Sequence, residues 1–523
     1  MLRVSISVMK AGQQHPGWKD RVSTGVRVDS IVPSPRRQIV SPPIPLRYEE
    51  ETFALKGEMF TGSPEDHRMK VGEFDSEQSV KRKSSDMSQW MIVFITVFLY
   101  LSVVDCTFSV HRGIRLLNSS TSISSLKLPK HTPYPKVQDE TTLKALVQGL
   151  GLTYEAHDVV TEDGYVLTLS RIGNPRRNVT HERDRGPPIL MVNGLMMQSE
   201  AWLVQGNPRH NAALAWLEAG YDIWLGDQRG TLRSRKHIVY NESQDTFWDF
   251  TIHEVGVYDL PAFIDFILAA TGYPKLVYVG LSLGTTFYFV MCSERPEFQN
   301  KIVGSILLMP IGVVPGYGKM SLETLLTMAT VDRVMSLYLK YRAPFIKNLI
   351  LIKEAMVFWC KAMTDDWIAV FGFTIGFGGK YQKKNFCYQI ALSFGGTSVV
   401  TVLHTIQFFK TGKFQRYDYG IEENLKRYKQ SFPPPYDLHR ISTPTALYYS
   451  DIDVFAPAEE VEKLIENFSG PTYRCLMKGL THIAEASDPR FRFYLKDLVE
   501  VADSMTGRSS SSRRKCAIVS NYL

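Results

Sequence analysis

No Cys-x-x-Cys pair occurs among the six cysteines of this 523-residue chain, and the spacing argues against a zinc site. Nor is there a stripe of basic residues interleaved with aromatics, which removes nucleic acid as a partner. The formal net charge of +7 does not contradict this. Arg508, Arg513, Arg514 and Lys515 lie in an acid-free tail, 504–523, and the body of the chain is close to neutral. No internal repeat is evident. No apolar run reaches the roughly 20 residues that span a bilayer as a helix. With 44% hydrophobic, 12% aromatic and 22% charged residues, the composition excludes a disordered, collagen-like or coiled-coil protein.

The one prominent apolar run, Trp90–Val104, has 15 residues. That suits the core of a signal peptide, roughly 7–15 residues. Two readings follow. Either translation starts at Met87 or Met91 and 87–106 is a cleaved signal, or 90–104 is a short membrane anchor with Lys81, Arg82 and Lys83 on the cytosolic side. Both send residues 107–523 into the secretory pathway, as a secreted or lysosomal protein. Asn118, Asn178, Asn241 and Asn467 each open an Asn-x-Ser/Thr triplet and are the candidate glycosylation sites. Residues 1–86, rich in Ser, Pro and charge and without periodicity, read as a disordered leader or a mispredicted start. The stretch 504–523 reads as a flexible basic tail. Cys106 lies at the expected cleavage point and Cys516 in the tail. Cys360 and Cys387 could close a disulfide worth about 3 kcal/mol, with free buried thiols as the alternative.

From about residue 150 short β-rich runs alternate with helix-length stretches. The runs are Tyr165–Ile172, Ile189–Val192, Asp222–Leu225, Leu276–Val279, Ile302–Met309, Thr445–Tyr449 and Tyr473–Met477. Asn211–Ala219 and Gly256–Ala270 are among the helical stretches between them. This predicts an α/β fold with a mainly parallel sheet covered on both faces. The core is expected over 107–314 and 441–503. The intervening 315–440 is too long for a loop, and Met356, Phe358, Trp359, Met363 and Trp367 recur there at helical spacing. It reads as an inserted helical cap, its aromatics either the cap's own core or the lining of an apolar pocket.

Lys275–Gly284 reads as a strand running straight into the turn Gly280-Leu-Ser-Leu-Gly284, and a helix-like stretch, Thr285–Glu294, follows. A serine becomes a nucleophile when held exposed on a tight strand-to-helix turn, and glycines on either side let the strained chain fit. Ser282 is therefore the candidate nucleophile, and the Leu283 N–H at the helix start is a candidate oxyanion donor. A base and an orienting acid should follow in that order on loops after later strands. Asp451 and Asp453 follow Thr445–Tyr449, and His482 follows Tyr473–Met477. Sequence mechanics do not choose between the two acids. A second oxyanion donor belongs on the loop after an early strand, where Asn193-Gly-Leu195 sits, so the Leu195 N–H is the candidate.

Further stretches carry a resemblance. These are Thr161-Glu-Asp-Gly-Tyr165, Gly220–Gly226 with Arg229-Gly230, Ser234-Arg-Lys-His237, Phe247–Phe250 with His253-Glu254, and Tyr258-Asp-Leu-Pro261. Later come Gly395-Gly-Thr-Ser398, Leu403-His404 and Gly412-Lys-Phe414. From about Val137 to Val499 the chain resembles the acid lipase family, which includes lysosomal, gastric and insect digestive lipases. The resemblance implies an α/β-hydrolase fold with a helical cap and hydrolysis of carboxylic esters of lipids, triacylglycerol or sterol ester, at a lipid–water interface. It implies Ser282 as nucleophile, Asp453 as acid and His482 as base, with no metal or cofactor. The chain departs from the family in Leu281 and Leu283 (usually His and Gln), Asn193 (usually His), and Val454-Phe-Ala-Pro457 (usually Trp-Leu-Ala-Asp). These departures bear on the shape and polarity of the site. The alternative they raise is a catalytically silent relative that binds lipid without turning it over.

Overall fold

The computed structural model describes residues 140–177, 180–204, 211–312 and 392–509, together with Cys516 and a few positions between 329 and 336. The leader, the 90–104 segment, Cys106, Asn118, Asn178, Cys360, Cys387 and most of the first part of the expected cap lie outside the described residues.

Strands β1 (Thr153–Val160), β2 (Tyr165–Gly173), β3 (Pro188–Val192), β4 (Asp222–Asp227), β5 (Lys236–His237), β6 (Leu276–Leu281), β7 (Ile302–Leu308), β8 (Thr445–Tyr449) and β9 (Thr472–Leu476) form one sheet. Its order is β1-β2-β4-β3-β6-β7-β8-β9, with β5 paired to β2. The β1–β2, β2–β4 and β2–β5 pairs are antiparallel, and every pair from β4 onward to β9 is parallel. β1 and the two-residue β5 are not anticipated from sequence. β1 lies at the sheet edge with a half-exposed, polar-rich face, so it has no continuous apolar run to announce it.

The main helices are α1 (Glu140–Gly149), α2 (Ala212–Glu218), α3 (Leu260–Thr271), α4 (Leu283–Glu294), α5 (Val399–Thr411), α6 (Ile421–Tyr428), α7 (Ala458–Ile465) and α8 (Leu495–Met505). The expected helix from Gly256 begins as a π turn, Val255–Asp259, and becomes α-helical only at Leu260.

Because successive strand side chains point to opposite faces, the buried strands feed two cores. Leu190, Val192, Trp224, Leu307 and Leu447 join residues of α3, α4, α5 and α7 on one face. Ile189, Met191, Ile223, Val277, Val279, Ile306 and Tyr448 join residues of α1, α2 and α8 on the other. α4 is buried from Leu283 through Ser293, as befits a helix that starts at the sheet's centre and runs beneath it. Among the described residues no helix is long and apolar enough to cross a membrane.

Three of the motif stretches named above meet in one buried ion cluster. The Arg229 guanidinium donates to Asp163 in the β1–β2 turn and to Asp259 at the start of α3, and lies 4.1 Å from the centroid of the Tyr165 ring. Arg229 and Asp259 are both wholly buried. On the far edge Cys475 of β9 is disulfide-bonded to Cys516, a pairing the spacing does not suggest, while Cys292 is a free thiol inside α4 whose burial raises its pKa. Removing one partner of a buried ion pair leaves the other charge uncompensated, at a cost of about 3–5 kcal/mol. Arg229→Met is therefore expected to lower stability by about that amount, read as a fall in the urea unfolding midpoint with an unchanged slope.

Candidate active site

β6 ends at Leu281 and α4 begins at Leu283, so Ser282 is the whole of the turn between them. Its backbone adopts φ 55° and ψ −122°, a region disfavoured for a residue with a Cβ, at a cost of about 1–3 kcal/mol. Neighbouring bonds hold it there. The Ser282 N–H donates to the Leu308 carbonyl of β7 (3.0 Å), and the Ser282 carbonyl accepts from the Thr285 N–H (2.9 Å) and hydroxyl (2.6 Å). Gly284 makes the turn sterically feasible, because a Cβ there would lie 2.3 Å from the Val192 carbonyl oxygen of β3.

Two loops at the neighbouring strand ends bring the partners in. His482 Nε2 lies 2.8 Å from Ser282 Oγ, and His482 Nδ1 lies 2.7 Å from Asp453 Oδ2. The other carboxylate oxygen of Asp453 accepts the N–H groups of Phe455 (2.8 Å) and Ala456 (3.0 Å), which fixes its orientation. Asp453 and His482 are almost fully buried, and the Phe455 ring stands edge-on to the imidazole. Asp451, the other acid left open by sequence, is exposed and turned aside, accepting the Gly479 N–H at 2.7 Å. The two loops are joined to each other. The Met477 N–H donates to the Tyr449 carbonyl, and the Ser450 hydroxyl to the Leu480 carbonyl.

The loop after β3 closes the fourth side. A Cβ on Gly194 would lie 2.8 Å from Ser282 Cβ and 3.1 Å from its Oγ, so this peptide packs directly on the candidate nucleophile. The Leu195 and Leu283 N–H groups have no acceptor among the described residues. For Leu283 this follows from its place at a helix start, where N–H groups lack intrahelical partners. The departures from the family pattern fall mostly behind the site. Leu281 is buried in one core and Leu283 in the other, while Asn193 is buried and donates to the Gln198 carbonyl at 3.0 Å.

The structure adds polar residues that the sequence reading did not single out. Asp227, the last residue of β4, accepts both the N–H (2.8 Å) and the hydroxyl (2.9 Å) of Ser199 at the far end of the β3 loop. Arg233 joins Asp227 to Glu200 through a bidentate contact, and all three are buried. The only signal in the sequence is a charge on the loop after β3, Glu200, and two at and after the end of β4, Asp227 and Arg233, positions where charges are ordinarily solvated. Beyond His482, Glu485 is buried in a short helical turn, Ala484–Ser487, and neither carboxylate oxygen has a hydrogen-bond partner among the described residues. Burial pushes this carboxyl from its ordinary 4.5 up to about 8. The folded protein then keeps a proton that the unfolded chain releases, so stability falls as the pH rises from about 4.5 toward 8. Glu485→Gln is expected to remove up to about 1.4 kcal/mol per pH unit of that decline, measured by denaturant melts across the interval.

Sequence comparison gives the arrangement its relatives. A family model described as a partial α/β-hydrolase lipase region matches residues 143–206, and the α/β-hydrolase fold model matches 187–330. The chain is 33% identical to Lipase 1 of Drosophila melanogaster over 394 residues, covering 72% of this chain and 84% of the relative. It is 32% identical to gastric triacylglycerol lipase of Bos taurus over 337 residues, covering 64% and 83%. It is 29% identical to human Lipase member M over 362 residues, covering 68% and 84%. With this identity spanning most of the relatives' length, and the sheet order described above, the chain belongs to the acid lipase family of α/β-hydrolases.

Proposed function

We propose that the protein is a serine esterase acting on lipid esters, triacylglycerol or sterol ester, at a lipid–water interface, with Ser282, His482 and Asp453 as its catalytic residues. The observation that carries this is the unbroken hydrogen-bonded chain from Ser282 Oγ through both imidazole nitrogens to the Asp453 carboxylate. In this reading His482 Nε2 takes the hydroxyl proton as Ser282 Oγ attacks the ester carbonyl carbon. The carbonyl oxygen becomes an oxyanion, stabilised by the Leu195 and Leu283 N–H groups. His482 then protonates the departing alcohol oxygen, leaving an acyl-serine. Water, deprotonated by the same nitrogen, attacks the acyl carbon; the acyl–Oγ bond breaks as His482 returns that proton to Ser282 Oγ, and the fatty acid leaves. Asp453, accepting from Nδ1, keeps the imidazole in the tautomer whose Nε2 is free to take a proton. No metal or cofactor takes part.

The triacylglycerol substrate of the bovine relative supports a lipid ester for this chain. A secretory destination, secreted or lysosomal, fits the Cys475–Cys516 disulfide, a bond of oxidising compartments. Asn241, exposed on the loop after β5, and the half-buried Asn467 after α7 would be acceptors for glycan in that setting.

A fluorophosphonate probe tests the assignment. The wild type should be labelled and Ser282→Ala should not; no labelling of the wild type from acid to mildly alkaline pH would remove the enzyme reading. Asp453→Ala should lower kcat by about 10³–10⁴-fold with little change in KM. Asp451→Ala should stay within a few-fold of wild type.

A further inference from the structure

Gln228, the residue after β4, is almost fully buried, and its side-chain NH2 group donates to the Gly194 carbonyl (3.0 Å) and the Met197 carbonyl (3.2 Å). Only the NH2 end of an amide can face two carbonyl oxygens, so its orientation is chemically determined. Gln228 is itself held, because its own carbonyl accepts from the Thr231 hydroxyl (2.8 Å) and N–H (3.2 Å). It spans a turn whose middle is strained: Met196 has φ 61°, and the Met197 N–H closes back on the Gly194 carbonyl at 3.2 Å.

The Gly194 carbonyl and the Leu195 N–H belong to one planar trans peptide, in which they point in opposite directions. A donor that grips the carbonyl therefore fixes the direction of the N–H. It also polarises the amide and makes that N–H a better donor. This peptide packs directly on Ser282. We propose that Gln228 is a positioning residue for ester hydrolysis: by holding the Gly194 carbonyl from behind, it aims the Leu195 N–H at the oxygen on which charge develops. The proposal rests on the catalytic reading above and adds to it a residue that touches neither the substrate nor the triad. The Asp227–Arg233–Glu200 cluster supports the same loop farther along, through Ser199 and Glu200, with the Arg233 guanidinium bridging the two carboxylates. Without Gln228 the peptide keeps only the Met197 N–H to orient it, and the turn has a strained residue ready to relax.

The test is steady-state and burst kinetics on a soluble p-nitrophenyl ester, with every rate divided by the concentration of sites titrated by the burst, so that misfolded protein does not count. Gln228→Ala should lower kcat per titrated site by about ten- to a hundredfold while KM stays within about twofold, the pattern of an interaction made only in the transition state. Gln228→Glu keeps the size and decides the matter if the alanine variant does not fold. Its protonated acid can still donate one hydrogen bond to the Gly194 carbonyl, whereas the carboxylate cannot and repels it. The ratio of variant to wild-type kcat should therefore recover toward one as pH falls and drop as pH rises. A kcat per site within twofold of wild type, a loss confined to KM, or a Gln228→Glu ratio independent of pH would overturn the role of Gln228. If instead the wild type gives neither burst nor turnover, the catalytic reading falls first and takes this one with it.

Discussion

A serine held at φ 55° on a one-residue turn is the constraint around which the rest of the site is arranged. The turn is feasible only where the chain leaves a central parallel strand for a buried helix, because both flanks must be anchored for the strain to persist. β6 supplies one anchor, bonded on both edges to β3 and β7, and α4 supplies the other. The same sheet order then determines what can reach the hydroxyl. β3 lies next to β6, so its loop falls beside the serine, while β8 and β9 bring the acid and the imidazole from the opposite side. All of these loops leave carboxyl ends of parallel strands, where open α/β sheets bind their ligands.

Buried charge is the second structural theme. Asp163–Arg229–Asp259 and Asp227–Arg233–Glu200 are both excluded from most of the solvent, and both join segments distant in sequence. Such clusters repay their desolvation only when the geometry is good, so they add little net stability over well-packed apolar residues of similar volume. What they impose is a single arrangement. Arg229 is satisfied only when the β1–β2 turn, the end of β4 and the start of α3 come together, and Arg233 only when the β3 loop lies against β4.

The parallel strands, the turn at Ser282 and the succession of serine, acid and histidine are legible in the sequence because each leaves a local trace. Apolar runs mark strands that are covered on both faces, and Gly280 and Gly284 mark the positions flanking the turn where a Cβ would clash with backbone. The β1 strand left no such trace, since an edge strand with a polar face has neither an unbroken apolar run nor clean alternation. Choosing between Asp451 and Asp453 needed coordinates or the family resemblance, because a shift of two residues is invisible to composition and decisive for an imidazole. Gln228 and Glu485 were illegible for a different reason: a polar residue in a loop is ordinarily solvated, and only burial makes either one informative. The Cys475–Cys516 bond was likewise hidden, because sequence spacing does not reveal which chain end returns to which strand.

The turn that carries Met196 is also tied to the segment that re-enters the core before α5. The Gly395 and Gly396 N–H groups both donate to the Met196 carbonyl, the Gln198 N–H donates to the Ser393 carbonyl, and the Gln198 side chain to the Leu392 carbonyl. Part of the long excursion between β7 and β8 is thus stitched to the turn beside Ser282. A shift of residues 392–396 that broke this seam would therefore also release the Met196 turn, and with it the Gly194–Leu195 peptide packed on Ser282.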